Sequence, residues 1–331
     1  MLRYLVGLCL AVVAVVAPGW AAEPPRWVDE AAETASHVET APLEVAFDEL
    51  TALRLHVNGD LLACDAGAKC VKVIGPDGKL RTSWKLDFGP ESLDVAADGT
   101  VYTGGEGVLA KLDRKGQVLK SVRVSDQVPP PPAALQPRGP ERKERVSGIA
   151  ATEKDLFVAY GTGWSLRSRS RLVRFDRELA NAAVIAEQLR GCCQRCDIAA
   201  RDGKVYVAEN AAHRVLCLDR EGAVLAKWGQ QAREGIEGFG SCCNPMNLCF
   251  DRAGVLYAAE SGLGRVKRYA TDGKFLGLVG YVGVERFDQA GHLAASCSNI
   301  AIAATPDGAR VYVMDYKQNR IRVLQQKPAG R

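Results

Sequence analysis

The residues of this chain best equipped for chemistry are its cysteines. Two stretches, RGCCQRCDIA and FGSCCNPMNLCF, each hold a neighbouring pair, Cys192 with Cys193 and Cys242 with Cys243. Cys196 follows the first pair, and Cys297 stands farther on, two residues before Asn299. Three chemistries are open to such a set. Oxidised, the sulfurs would lock long loops with disulfides worth about 2–4 kcal/mol each. Adjacent cysteines bridge each other only through a strained ring, so each would pair elsewhere. Reduced, Cys192, Cys193, Cys196, Cys242, Cys243 and Cys297 would offer thiolates to zinc or copper. The third chemistry is a redox-active or substrate-reactive thiol set. The Cys193–Cys196 spacing alone decides nothing. Asp197 follows where covalent haem attachment needs a histidine, and the βαβ setting of thioredoxin-like motifs is missing.

The other cysteines read as structural. Cys64 and Cys70 flank a short loop, DAGAK, where a hairpin-end disulfide would fit. Cys217 and Cys249 fall inside strand-like runs as small apolar fillers. Of the histidines, only His292 lies near the cysteine-bearing loops, as a candidate fourth ligand. No serine sits in a nucleophile motif such as G-x-S-x-G.

Compartment decides which sulfur chemistry prevails. Met1 to Arg3 gives a basic start, YLVGLCLAVVAVVA an apolar run, and Gly19 and Ala21 a small-residue exit, which together predict a signal peptide over 1–21. The run is shorter than the ~18 residues a spanning helix needs. Residues 22–40 then read as a polar lead-in, and the expected location is periplasmic or secreted, where disulfides persist. A net charge of +4 gives no general attraction to nucleic acid or an anionic membrane. One basic stretch, SLRSRSRLVRFDR, places Arg167, Arg169 and Arg171 on one strand face, which reads as solvated.

The elements that must position these residues repeat along the chain. NGDLLACDAGAKCVKVIGPDGK, DGTVYTGGEGVLAKLDRKGQ, DGKVYVAENAAHRVLCLDREGA, AGVLYAAESGLGRVKRYATDGK and DGARVYVMDYKQNRIRVL are variants of one unit, and EKDLFVAYGTGWSLRSRSRLVRFDREL is a degenerate sixth. Each runs from a turn into a short strand, a loop and a second strand, with the turn glycines supplying the positive φ of tight hairpins. One further strand precedes each unit and another follows most of them. Four strands per repeat and six repeats predict an all-β fold, a six-bladed β-propeller of four-stranded antiparallel blades over 41–327. The last unit lacks its fourth strand, and the N-terminal segment 41–47, APLEVAF, is expected to supply it and close the ring. A Pro-rich insertion over 124–145 interrupts the second and third units.

VYVAE followed by AAHRVLCLD, and VYVMD followed by KQNRIRVL, resemble NHL repeats, in which an apolar strand and an acidic residue precede Asn or His, Arg and Ile or Val. Arg214, Arg265 and Arg320 match the motif's arginine, and Glu209, Glu260 and Asp315 its acid, read as structural pairs bracing each blade. The resemblance implies a six-bladed propeller and leaves function to sites grafted onto it.

In such a ring the connection from an outer strand to the next inner strand crosses one face toward the central channel. The cysteine-rich loops before units four, five and six are those connections. Aligned on the inner strands, Asp197, Asn247 and Asn299 open units four to six, with Ser92 and Gly148 at the matching place in units two and three. Asp197, Asn247 and Asn299 are therefore the candidate ligand-binding residues, beside the six cysteines. The expectation is a monomeric binding or scaffold module for a protein or small-molecule ligand at this channel face. The alternative is a metal-dependent propeller enzyme of lyase or lactone-hydrolase type.

Overall fold

Strands in this chain are apolar on both faces because each blade is covered on both sides. In the fourth repeat Val205 and Val207 pack toward the preceding blade, while Tyr206 and Ala208 pack toward the following one. Alternate residues of one strand thus feed two cores. In the computed structural model of the chain, residues 32–132, 144–162, 169–192, 195–232, 235–241, 243–282 and 299–328 are described.

Six four-stranded antiparallel sheets form a ring. Blade one is β2 (Leu50–Leu55), β3 (Leu61–Asp65), β4 (Cys70–Ile74) and β5 (Leu80–Lys85); blade two is β6 (Ser92–Val95), β7 (Val101–Gly105), β8 (Val108–Leu112) and β9 (Val118–Arg123). Blade three is β10 (Glu144–Ala151), β11 (Asp155–Thr162), β12 (Ser170–Asp176) and β13 (Ala183–Leu189). Blade four is β14 (Ile198–Arg201), β15 (Lys204–Glu209), β16 (Arg214–Leu218) and β17 (Val224–Trp228). Blade five is β18 (Asn247–Phe250), β19 (Leu256–Glu260), β20 (Arg265–Tyr269) and β21 (Phe275–Tyr281). Blade six is β22 (Ile302–Ala304), β23 (Arg310–Asp315) and β24 (Arg320–Gln326), completed by β1 (His37–Thr40). Six buried apolar clusters fill the spaces between neighbouring blades, one at each interface. The glycines expected in the turns, Gly59, Gly78, Gly99, Gly116, Gly203, Gly222, Gly254 and Gly273, all adopt positive φ. At Gly222 a Cβ would also meet the Ile185 carbonyl oxygen at 2.0 Å, so only glycine fits there.

The ring closes as expected but with a different segment. His37–Thr40 pairs antiparallel with β24, ahead of the expected 41–47. Residues 41–47 alternate for another reason: Val45 and Phe47 drop into the core between blades six and one without entering a ladder. His37 is buried, its Nε2 donating to the Gly308 carbonyl at 2.8 Å and its Nδ1 2.8 Å from Ser36 Oγ. Starting the chain at residue 41 removes these bonds and a four-residue ladder, each bond worth about 1 kcal/mol. The expected result is a fall in Tm of about 10 °C and self-association through the bared edge of β24, read by thermal unfolding and size-exclusion chromatography.

The insertion is shorter than expected. A single helical turn, Val124–Gln127, follows β9, and β10 already begins at Glu144; residues 133–143 lie outside the described residues. Arg171 is not on a solvated face: it is buried, pairs with Glu187 at 3.0 Å and donates to the Pro129 carbonyl at 2.7 Å. Arg167 lies outside the described residues, as does the expected signal segment over 1–21. No helix among the described residues is long and apolar enough to cross a membrane.

Candidate functional site

The inner strands ring the channel as sheet edges, so their backbone groups need partners from outside their own sheet. One polar side chain per blade meets that need by reaching to the next blade. Thr51 Oγ1 donates to the Pro90 carbonyl at 2.6 Å, Ser92 Oγ to that of Val146 at 2.7 Å, and Ser147 Oγ to that of Cys196 at 3.0 Å. Asp197 Oδ2 accepts from the Leu248 amide at 2.7 Å, Asn247 Oδ1 from the Ile302 amide at 2.9 Å, and Asn299 Nδ2 donates to the Thr51 carbonyl at 2.6 Å. The three candidate ligand residues are thus brought together at the channel mouth, each also serving as a clasp between blades. In blade three the clasp is Ser147, not Gly148, because a bulge between Val146 and Gly148 shifts the register by one.

The acids of the repeat do a related job one layer out. Asp65 accepts from the amides of Asp48 and Glu49, Glu209 from that of Arg190, and Glu260 from that of Gly240. Each carboxylate thereby pins the connection that enters its blade. Arg214 pairs with Glu209 at 2.5 Å and Arg265 with Glu260. In blade six the expected Arg320 stands 4.0 Å from Asp315, while Arg322 holds it at 2.7 Å.

At the centre lies a group that the repeat pattern did not single out. Arg54, on β2, sits in the channel with Asp94 Oδ1 3.4 Å from its Nε and Asp197 Oδ1 3.8 Å from its Nη2. Asp94 Oδ2 also accepts from the Ala151 amide at 2.8 Å. Burial works against the guanidinium, but Asp197 and Asp94 outweigh it and keep it charged. Burial pushes the Asp94 carboxyl above its ordinary range against the pull of Arg54, and pushes Asp197 up to about 6. The signal was present in sequence: LRLHV and SLDVA carry a charge where the other inner strands carry Ala or Cys. Around this cluster the channel narrows. On the mouth side about 20 Å³ remains between Thr51, Arg54, Ser92, Ser147, Asp197 and Asn247, room for one water. On the other side, where the tight hairpin turns lie, about 230 Å³ opens below Arg54 and Asp94.

The cysteines divide. Cys192 and Cys243, from equivalent connections, enter one buried cluster with Met246 between blades five and six. Cys196 instead packs between blades three and four, where burial pushes its thiol up to about 12. Cys193, Cys242, Cys297 and His292 lie outside the described residues. Among the described residues no three His, Cys, Asp or Glu side chains converge to hold a metal. Cys64 and Cys70 are free thiols on opposite faces of their sheet: Cys70 faces the same way as its partner Asp65, the residue after Cys64. The register therefore excludes the hairpin-end disulfide.

No protein-family model and no curated protein matches the chain. Among solved structures it is similar to a gluconolactonase from Xanthomonas campestris, at 13% identity and TM-score 0.57 over 90% of this chain and 92% of that one. A calcium-binding regucalcin from Agrobacterium tumefaciens aligns at 13% identity and TM-score 0.56 over 88% and 93% of the two chains. A virginiamycin B lyase from Staphylococcus aureus aligns at 15% identity and TM-score 0.51 over 89% of each. At such identities the likeness shows a shared six-bladed propeller fold and no more.

Proposed function

We propose that the chain is an exported NHL-type propeller acting as a binding module, with its ligand site on the mouth face of blades four to six. The observation that carries this reading is the filled centre of the channel: among the described residues, clasps and the Arg54 cluster leave about 20 Å³ on the mouth side, room for a water and too little for a substrate. What that face offers is a rim, made of Asp197, Asn247, Asn299 and the cysteine-bearing connections. The calcium bound by the regucalcin neighbour does not fit the channel centre. Calcium takes six to eight oxygens, and Arg54 already stands between the two carboxylates there. Cys192 and Cys243 lie with Met246 in the buried cluster beneath that rim, and these sulfurs are part of what a soft metal, zinc or copper, would need there.

The enzyme reading draws on the lyase and gluconolactonase neighbours and on Asp197, a carboxyl that titrates at about 6. Three measurements on the full exported chain separate the two. Metal analysis is expected to find about one zinc or copper per chain, lost in the Cys192→Ser/Cys243→Ser double variant while the fold is kept. Thiol titration with and without a chelator is expected to show cysteines protected only while metal is bound. Metal-free protein with those cysteines oxidised would overturn the metal part. Turnover of simple lactones, abolished by Asp197→Asn, would overturn the binding reading itself.

A further inference from the structure

The two ends of the channel differ in what they leave open. At the turn-side end the inner strands carry small residues, Ala151, Ala200 and Ala304, which keep about 230 Å³ clear beside Phe250 and Cys249. That is below the roughly 300–1,000 Å³ of pockets for drug-sized ligands, so any occupant is small. The roof of this cavity is charged. Asp94 and Asp197 share the single guanidinium of Arg54, which is the only cationic side chain among the described residues lining the cavity; Arg201 stands outside it, 5.9 Å from the Phe250 ring centroid and bonded to the Asp251 and Arg252 carbonyls. Cys249 adds no charge, since burial pushes its thiol up to about 12. One negative charge is therefore left without a counter-charge in a desolvated place. It is reachable at Asp94, whose side chain is 22% exposed against 8% for Asp197. Burial raises both carboxyls in spite of Arg54, as expected where compensation is incomplete.

We propose that the turn-side cavity is a binding site for a small organic cation, an alkylammonium of a few carbons. Its charge seats against Asp94 while its carbons lie on Phe250 and the alanines. An anion is disfavoured because it would have to approach Arg54 past Asp94. A divalent metal is disfavoured because one carboxylate supplies too few of the six or more oxygens it needs. The site opens on the opposite side of the disc from the rim discussed above, shares only the charge of Asp197 with it, and does not depend on a metal or ligand being bound there.

The probes are n-butylammonium, its isosteric anion butyrate and neutral butanol, titrated into the full chain at low salt and followed by calorimetry and NMR. Saturable binding is expected for butylammonium alone. Asp94→Asn keeps an oxygen for the Ala151 amide and removes the charge, so it should weaken binding about tenfold or more. Ala200→Leu, at a half-buried position on the cavity wall, fills the cavity without touching the charges and should abolish binding while thermal unfolding stays cooperative. Butyrate or butanol binding as well as butylammonium, full binding by either variant, or no saturable binding of the cation would each overturn the proposal.

Discussion

Arg54→Met is expected to lower stability by about 3–5 kcal/mol at pH 7.5, the usual result of leaving buried charges without their partner. The variant leaves Asp94 and Asp197 facing one another across the channel with no cation between them. Like charges in a desolvated site raise each other's pKa, and loss of Arg54 lifts both carboxyls above their wild-type values, so acid relieves the defect and the loss should shrink as pH falls from 7.5 toward 6 and below. The wild type already shows the sign. Asp197 titrates at about 6 in the folded chain and at about 3.9 when unfolded. The folded state therefore holds the extra proton between those values, and this group's contribution to stability declines as pH rises from 4 to 6. Asp197→Asn removes that slope and keeps an oxygen for the Leu248 amide. It should be more stable than wild type by on the order of 2 kcal/mol above pH 6, with no gain at pH 4. Urea unfolding of the three proteins across pH 4–8 reads both effects. An Arg54→Met variant as stable as wild type at pH 7.5 would remove the cluster from the account of the channel.

That cluster also marks where the sequence stopped being legible. Propeller class, blade number and turn positions could be read because each rests on local chemistry repeated six times. A glycine at positive φ in a hairpin leaves the same mark in five of the six units, at Gly59, Gly99, Gly203, Gly254 and Gly308. Arg54 and Asp94 occur once each, and no repeat announces a singular residue. Asp197, Asn247 and Asn299 were found by alignment to the inner strands, but their work as clasps depends on which backbone group of the next blade faces them. The closing strand was missed because the alternation of APLEVAF satisfies an inter-blade core as readily as a ladder. Cys64 and Cys70 misled for a similar reason, since closeness in sequence says nothing about sheet face. That Cys192 and Cys243 enter one apolar cluster follows from topology, which brings equivalent connections of neighbouring blades to one side of the ring.

A second large effect is expected at Glu260, the acid of blade five. Its carboxylate is fully buried, accepts from the Gly240 amide at 2.7 Å and from Arg265 Nη2 at 2.9 Å, and stands 3.2 Å from Lys267 Nζ. Burial would raise its pKa, but Lys267, Arg265 and the Gly240 amide prevail and hold it below the ordinary range. The two cations in turn hold the connection into the blade. Lys267 Nζ donates to the Gly238 carbonyl at 2.7 Å and lies 4.5 Å from the Phe239 ring, and Arg265 donates to the Gly235 and Gly238 carbonyls. Glu260→Gln leaves two buried cations with no anion, a loss of about 3–5 kcal/mol. Hydrogen exchange over 235–240 should quicken with it, because the anchor of the Gly240 amide weakens. The pH profile carries the same signature. Burial brings Lys267 down to about 8 from about 10.4 in the unfolded chain. The unfolded state therefore holds the extra proton between those values, and stability from this group rises with pH across them. Without Glu260 the Lys267 pKa drops further, and that rise should begin at lower pH. Lys267→Met, which leaves the Arg265–Glu260 pair intact, should be near neutral at pH 7.5 and lack the rise. A Glu260→Gln loss below about 1 kcal/mol, or unchanged protection at 235–240, would show that the mouth-face connection is held by apolar packing of Phe239 and not by charge.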